Sequence, residues 1–150
     1  MNGSRTIIKD EGEVDMGQYW YPVNLDKKEF IHPHKLGNGL KLWEQLANHP
    51  GTGAALIILT AAMPEPRGGG DIRNADGVVG RWAGDRIALV GDYAEPNDLP
   101  DDDAAEVYQN IRNEVFEDIS DMVCEVIERE LGGKFSGSGW RTFTYDNDEG

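Results

Sequence analysis

The sequence predicts an α+β fold: a small antiparallel sheet built from hairpins, packed by one long acidic amphipathic helix and two shorter helices. Three observations carry that prediction. Tyr19, Tyr21 and Val23 alternate with Trp20, Pro22 and Asn24, a strand pattern rich in aromatic and β-branched residues. Two apolar runs, Val78 to Trp82 and Arg86 to Val90, flank Ala83-Gly84, and Gly84 suits the positive φ of a tight hairpin turn. From Glu106 to about Leu131 apolar residues return at helical spacing.

Each element follows in chain order. Residues 1–15 show no period and read as a flexible extension, residues 16–145 as one domain, and residues 146–150 as an acidic tail. Pro22 lacks an N–H and points to an edge strand. Asp26-Lys27-Lys28 turns the chain, and Glu29 to His32 returns as the second strand of a hairpin. Asn38 is placed to cap a short helix in which Leu40, Trp43 and Leu46 or Ala47 recur at helical spacing, ended by His49-Pro50-Gly51. Thr52 caps a second helix over AALIILTAAM, apolar all round and therefore expected to be buried. Glu65 to Gly77, with its glycines and Pro66, holds no regular element.

Asp101-Asp102-Asp103 precede the long helix, where its dipole favours negative charge. On a helix over 106–131, Tyr108, Ile111, Val115, Phe116, Ile119, Val123 and Ile127 share one broad side, with Glu106, Glu114, Glu117, Asp118, Asp121, Glu125 and Glu128 opposite. Arg112 falls within the apolar arc and is expected to snorkel. Gly132-Gly133 ends the helix, and WRTFTY alternates as a last strand.

Composition bounds the function. The chain has 150 residues, 39% hydrophobic and 28% charged, which fits a globular domain with a real core. The longest apolar run, Ala54 to Met63, is about half of the roughly 20 residues a spanning helix needs. Cys124 is alone, so no intramolecular disulfide forms, and the expected setting is the cytoplasm. Residues 76–150 hold nineteen of the 28 Asp and Glu but six of the 14 Lys and Arg, so this half carries −13 of the net −14. Such a surface repels nucleic acid and anionic membranes and draws basic protein surfaces.

Candidate residues gather in two places. Arg81, Trp82, Asp85, Arg86, Asp92 and Tyr93 crowd the ends of the expected hairpin, where Arg81 and Arg86 can form ordinary cross-strand pairs with Asp85 or Asp92, or the rings and charges can serve as a binding site. Glu114, Glu117, Asp121 and Glu125 form the acidic stripe of the long helix. His32 and His34 are weak metal candidates, two residues apart on one side of extended backbone, with Asp26 or Asp92 as a third ligand. Gly51-Thr52-Gly53 lacks the ending of a phosphate loop. Cys124 falls toward the acidic side, where carboxylates raise a thiol pKa. No cofactor motif is present.

The segments MGQYWYPVNLDKKE from Met16, NGLKLWE from Asn38 and GRWAGDRIALVGDY from Gly80 resemble a family of small bacterial and phage proteins of unknown function. The resemblance implies a domain start at Met16 and brings no activity, cofactor or site residue. The expected function is therefore a non-enzymatic protein-binding or regulatory module, phage-related, that engages a basic partner. The alternative is a small metal-dependent hydrolase or nucleotide-handling enzyme using His32, His34, Asp85 and Asp92.

Overall fold

Strand alternation at Tyr21 and Val23 builds the centre of the molecule. The computed structural model describes residues 17–46, 49–74 and 76–147, so the expected extension over 1–15 and the end of the acidic tail lie outside the described residues. The fold is α+β, as expected. Strands β1 (Trp20–Asn24), β2 (Glu29–Phe30), β3 (Ile87–Gly91) and β4 (Glu117–Asp118) form one sheet in the order β3-β1-β2-β4. β1 pairs antiparallel with β2 and β3, whereas β2 pairs parallel with β4, so the sheet is mixed. A second, two-stranded antiparallel sheet joins β5 (Gly133–Ser136) to β6 (Thr142–Tyr145).

The first expected hairpin forms. Its turn is held by the buried Asn24, whose Oδ1 accepts the Asp26 and Lys27 amides at 2.9 and 2.7 Å. Pro22 is not on an edge: β1 lies inside the sheet. The proline is tolerated because its missing N–H faces β2, whose ladder stops at Phe30, while Ile31 N still donates to Pro22 O at 3.2 Å.

Side-chain alternation then divides the interior into two cores. On one side Tyr21, Val23, Phe30 and Val90 pack with Val107 and Ile111 of helix α2 (Ala104–Arg112) and with Phe116. On the other side Ile31 and Trp82 pack with Leu59 of helix α1 (Gly51–Thr60) and Val123 and Ile127 of helix α3 (Ser120–Leu131). Each such side chain contributes about 1.5–3 kcal/mol by leaving water.

Two expected elements are replaced. The single rod over 106–131 is broken into α2 and α3, with β4 between them. Glu114 takes a left-handed backbone (φ 59°), and the Val115 and Phe116 amides turn back onto Asn110 O at 2.9 and 3.2 Å. Asp118 Oδ1 then accepts the Ser120 amide at 2.9 Å, satisfying an N-terminal donor of α3. Phe116 and Ile119 are buried on either side of β4, in the two separate cores, whereas Val115 of the expected apolar arc is exposed.

The second expected hairpin also fails to form. β3 pairs with β1, and residues 78–85 instead fold onto the end of α1. Gly80 N donates to Ile58 O and Trp82 N to Leu59 O, both at 2.8 Å, so this segment satisfies carbonyls that a helix C-terminus leaves unpaired. Gly80 is needed there: its φ is +81°, and a Cβ would lie 2.6 Å from the Ala61 carbonyl oxygen.

Asn38 caps a helix, but not the one expected. Residues 43–46 form only a 3₁₀ turn, and Asn38 Oδ1 accepts the Thr52 amide of α1 at 2.6 Å. Thr52 is therefore inside α1, which begins at Gly51, and the amide that a phosphate at Gly51-Thr52-Gly53 would need is taken. The Asn38→Ala variant should lose about 0.5–2 kcal/mol of stability. Urea unfolding reads this, and an unchanged midpoint would contradict the cap. The stretch 61–74 carries no helix or strand, and Asp71 gathers it by accepting the Arg67 and Gly68 amides at 2.8 and 2.9 Å.

Candidate interaction surface

Most residues singled out around the expected hairpin hold the fold together. Trp82 is 0% exposed, so it offers no face to a ligand. Its Nε1 donates to Glu29 Oε1 at 2.9 Å, and Arg81 Nε donates to the same oxygen at 3.0 Å. Burial alone would raise the Glu29 carboxyl, but these donors and the guanidinium charge outweigh it and hold the group below its ordinary range. Asp85 accepts from Asn24 Nδ2 and Lys27 Nζ, which lower its pKa. Arg86 pairs with Asp26 and Asp102, both at 2.8 Å. Solvent screens these surface pairs, so each adds little to stability.

Asp92 and Tyr93 lie at the far end of β3, where Asp92 Oδ1 accepts the Tyr19 amide and Gln18 Oε1 accepts the Tyr93 amide. The six residues therefore do not line one cleft. The acidic stripe is likewise dispersed by the helix break. Glu114 sits in the turn and Glu117 on β4, leaving Asp121 and Glu125 exposed together on α3, with Asp121 paired to Arg141 at 2.9 Å. Cys124 is buried. Burial pushes its thiol up to about 12, with Asp121 and Glu128 adding to the rise as expected and Arg141 opposing it, and Sγ donates to Lys35 O at 3.4 Å. Arg112 stays exposed at the arc's edge and donates to Tyr21 Oη at 3.3 Å.

The histidines meet each other but no carboxylate set. His32 and His34 rings lie 5.3 Å apart, His34 stacks on Trp140 at 4.6 Å, and Tyr21 stands edge-on to His32. His32 Nδ1 accepts the His34 amide at 3.2 Å. Among the described residues, no group of three or more His, Cys, Asp or Glu side chains is placed to hold a metal ion. Asp85 and Asp92 are at opposite ends of β3, so the four-residue site of the enzyme alternative is not assembled.

The surface that the sequence hid is apolar. Gln45 turns inward and donates from Nε2 to the carbonyls of Trp20 and Leu40 at 2.9 and 3.1 Å. In a 3₁₀ turn, residues three apart eclipse one another, so burying Gln45 turns Trp43 and Leu46 outward together. Trp43 is 80% exposed, Leu46 69%, and Ile57 on α1 64%. The spacing that predicted a helix thus belongs to a 3₁₀ turn with Trp43 and Leu46 exposed, and α1, expected to be buried all round, is buried on one side only.

Leu46 and Ile57 flank a groove of about 350 Å³ floored by Pro50, Gly53 and Ala54. A second groove of about 260 Å³ continues from Ile57 past Ile72 to Leu131, with Asp71 and Glu130 on its wall. The two grooves share His49, Ala54 and Ile57 and so adjoin, and Asp71 and Glu130 edge the second. No helix among the described residues is long and apolar enough to cross a membrane. No family model, curated protein or solved structure matches this chain.

Proposed function

We propose that this protein is a non-enzymatic interaction module whose working surface is the apolar strip from Trp43 across Ile57 to Leu131. The single observation that carries the reading is the solvent-facing Trp43, Leu46 and Ile57 beside two adjoining grooves. Contiguous apolar surface on a folded domain marks a place where another molecule binds. The grooves lie either side of Ile57, which suits the alternate anchors of an amphipathic helix laid across them. The chain's charge of −14 favours a basic partner by steering and by suppressing acidic competitors. A cytoplasmic, phage-related setting remains part of the proposal and rests on the lone cysteine and the motif resemblance alone.

The test uses an amphipathic helical peptide of leucine and lysine, with a leucine and glutamate peptide as control. The Trp43→Ser and Ile57→Ser variants should each weaken the lysine peptide by about 2 kcal/mol, roughly thirtyfold, as anchors at the centre of an interface do. Both side chains are exposed, so the variants should fold normally. Equal binding of the two peptides, or variants that bind like the parent, would overturn the reading.

A further inference from the structure

We infer that the outer edge of β3 is a second docking site, which takes an extended basic segment of a partner protein as an added strand. β3 ends the four-stranded sheet. Leu25 N donates to Arg86 O at 2.9 Å and Asp92 N to Tyr19 O at 3.0 Å. These bonds fix the antiparallel phase: residues 86, 88, 90 and 92 exchange bonds with β1, while Ile87 and Leu89 turn their amides and carbonyls outward. Among the described residues, no hydrogen bond occupies those outward groups.

The opposite edge is protected differently. β4 is only Glu117-Asp118, short and charged, the usual way of blunting an edge. β3 runs Ile-Ala-Leu-Val-Gly, with neither charge nor proline. Beside it opens a cavity of about 270 Å³, lined by Trp20, Leu89, Gly91, Ala94, Leu99 and Asp98. An added strand sends alternate side chains to one face, so one apolar side chain of the guest can enter that cavity.

Charge selects the guest. Between Asp92 and Asp103 the chain carries six carboxylates and no Lys or Arg, and Asp98 reaches the cavity itself. Arg86, next to the strand, is offset by Asp26 and Asp102. A guest alternating apolar and basic residues matches both the apolar cavity and this field. The site is separate from the Trp43 strip and stands without it.

The probe is a short peptide of alternating valine and lysine, titrated into the isotope-labelled full chain. Binding should shift the amide signals of Ile87 and Leu89 and slow their hydrogen exchange, and should weaken as salt screens the carboxylates. A peptide N-methylated at alternate amides should bind at least about tenfold more weakly, because the strand bonds are lost. Leu89→Pro, which removes an outward N–H without touching the β1 ladder, should do the same, whereas Trp43→Ser should change nothing. Equal binding of the methylated peptide, or shifts confined to the strip, would overturn the inference. So would concentration-dependent dimerisation abolished by Leu89→Pro, which would assign the edge to a second copy of this chain.

Discussion

Trp82→Ala should destabilise the protein by about 3–5 kcal/mol, the range for truncating a fully buried aromatic ring. Trp82 is 0% exposed and packs in the core that joins α1 and α3 to the sheet. The loss has a polar component as well, since Glu29 gives up one of the donors that keep its buried carboxylate ionised. Trp82→Phe separates the two parts. It keeps most of the ring but not the Nε1–H, and should cost about 1.5–3 kcal/mol, as for a hydrogen bond to a charged group. Denaturant unfolding at neutral pH reads both, provided the slope is unchanged. A loss below about 1 kcal/mol for Trp82→Ala would mean that the ring is a surface group, as the hairpin expectation had it.

Acidification should weaken the fold through His32. Burial, reinforced by the neighbouring charges of His34, Lys35 and Arg112 and opposed by Asp118, lowers its pKa from 6.5 to about 4. Between those values the unfolded chain takes up a proton that the folded protein refuses. Stability therefore falls as pH drops below 6.5, and the loss levels off below about 4. The full effect is at most about 3 kcal/mol. His32→Asn retains an acceptor for the His34 amide in place of Nδ1, and it cannot titrate. Its stability should fall much less between pH 6.5 and 4 than that of the parent. Parallel pH profiles for the two proteins would show that His32 is protonated freely in the folded state.

The fold class and the first hairpin were legible because both rest on short-range rules. Alternation at Tyr21 and Val23 sets a strand, and Asn24 with its following polar residues sets a turn. The breaks were not legible because long-range partners decide them. Nothing near Gly80 states that its amide will meet the Ile58 carbonyl, yet that bond turns a plausible hairpin strand into a plug on α1. The apolar period through residues 111–127 is real, but two helices separated by a turn and a strand, and buried in two different cores, can share a period. Only Asn113 and the Asp118-Ile119-Ser120 capping signal mark the interruption.

The site was less legible than the fold. The cluster at Arg81, Asp85 and Arg86 was correctly seen as charge-rich, but those charges pair with the β1–β2 hairpin and strengthen it. The exposed apolar surface is not legible in the sequence, because hydrophobic residues are expected inside. A polar residue, Gln45, takes the inner position by donating to the carbonyls of Trp20 and Leu40, which leaves Trp43 and Leu46 outside. The usable signal was the pairing of Trp43 and Leu46 three residues apart in a segment too short for a stable helix.

The most direct test of the whole account follows the four tryptophan indole signals by NMR while the leucine and lysine helical peptide is added. The Trp43 signal should shift together with the Ile57 and Leu131 methyl groups, while that of the buried Trp82 stays in place. Shifts centred on Asp121 and Glu125, with the Trp43 indole unmoved, would contradict it.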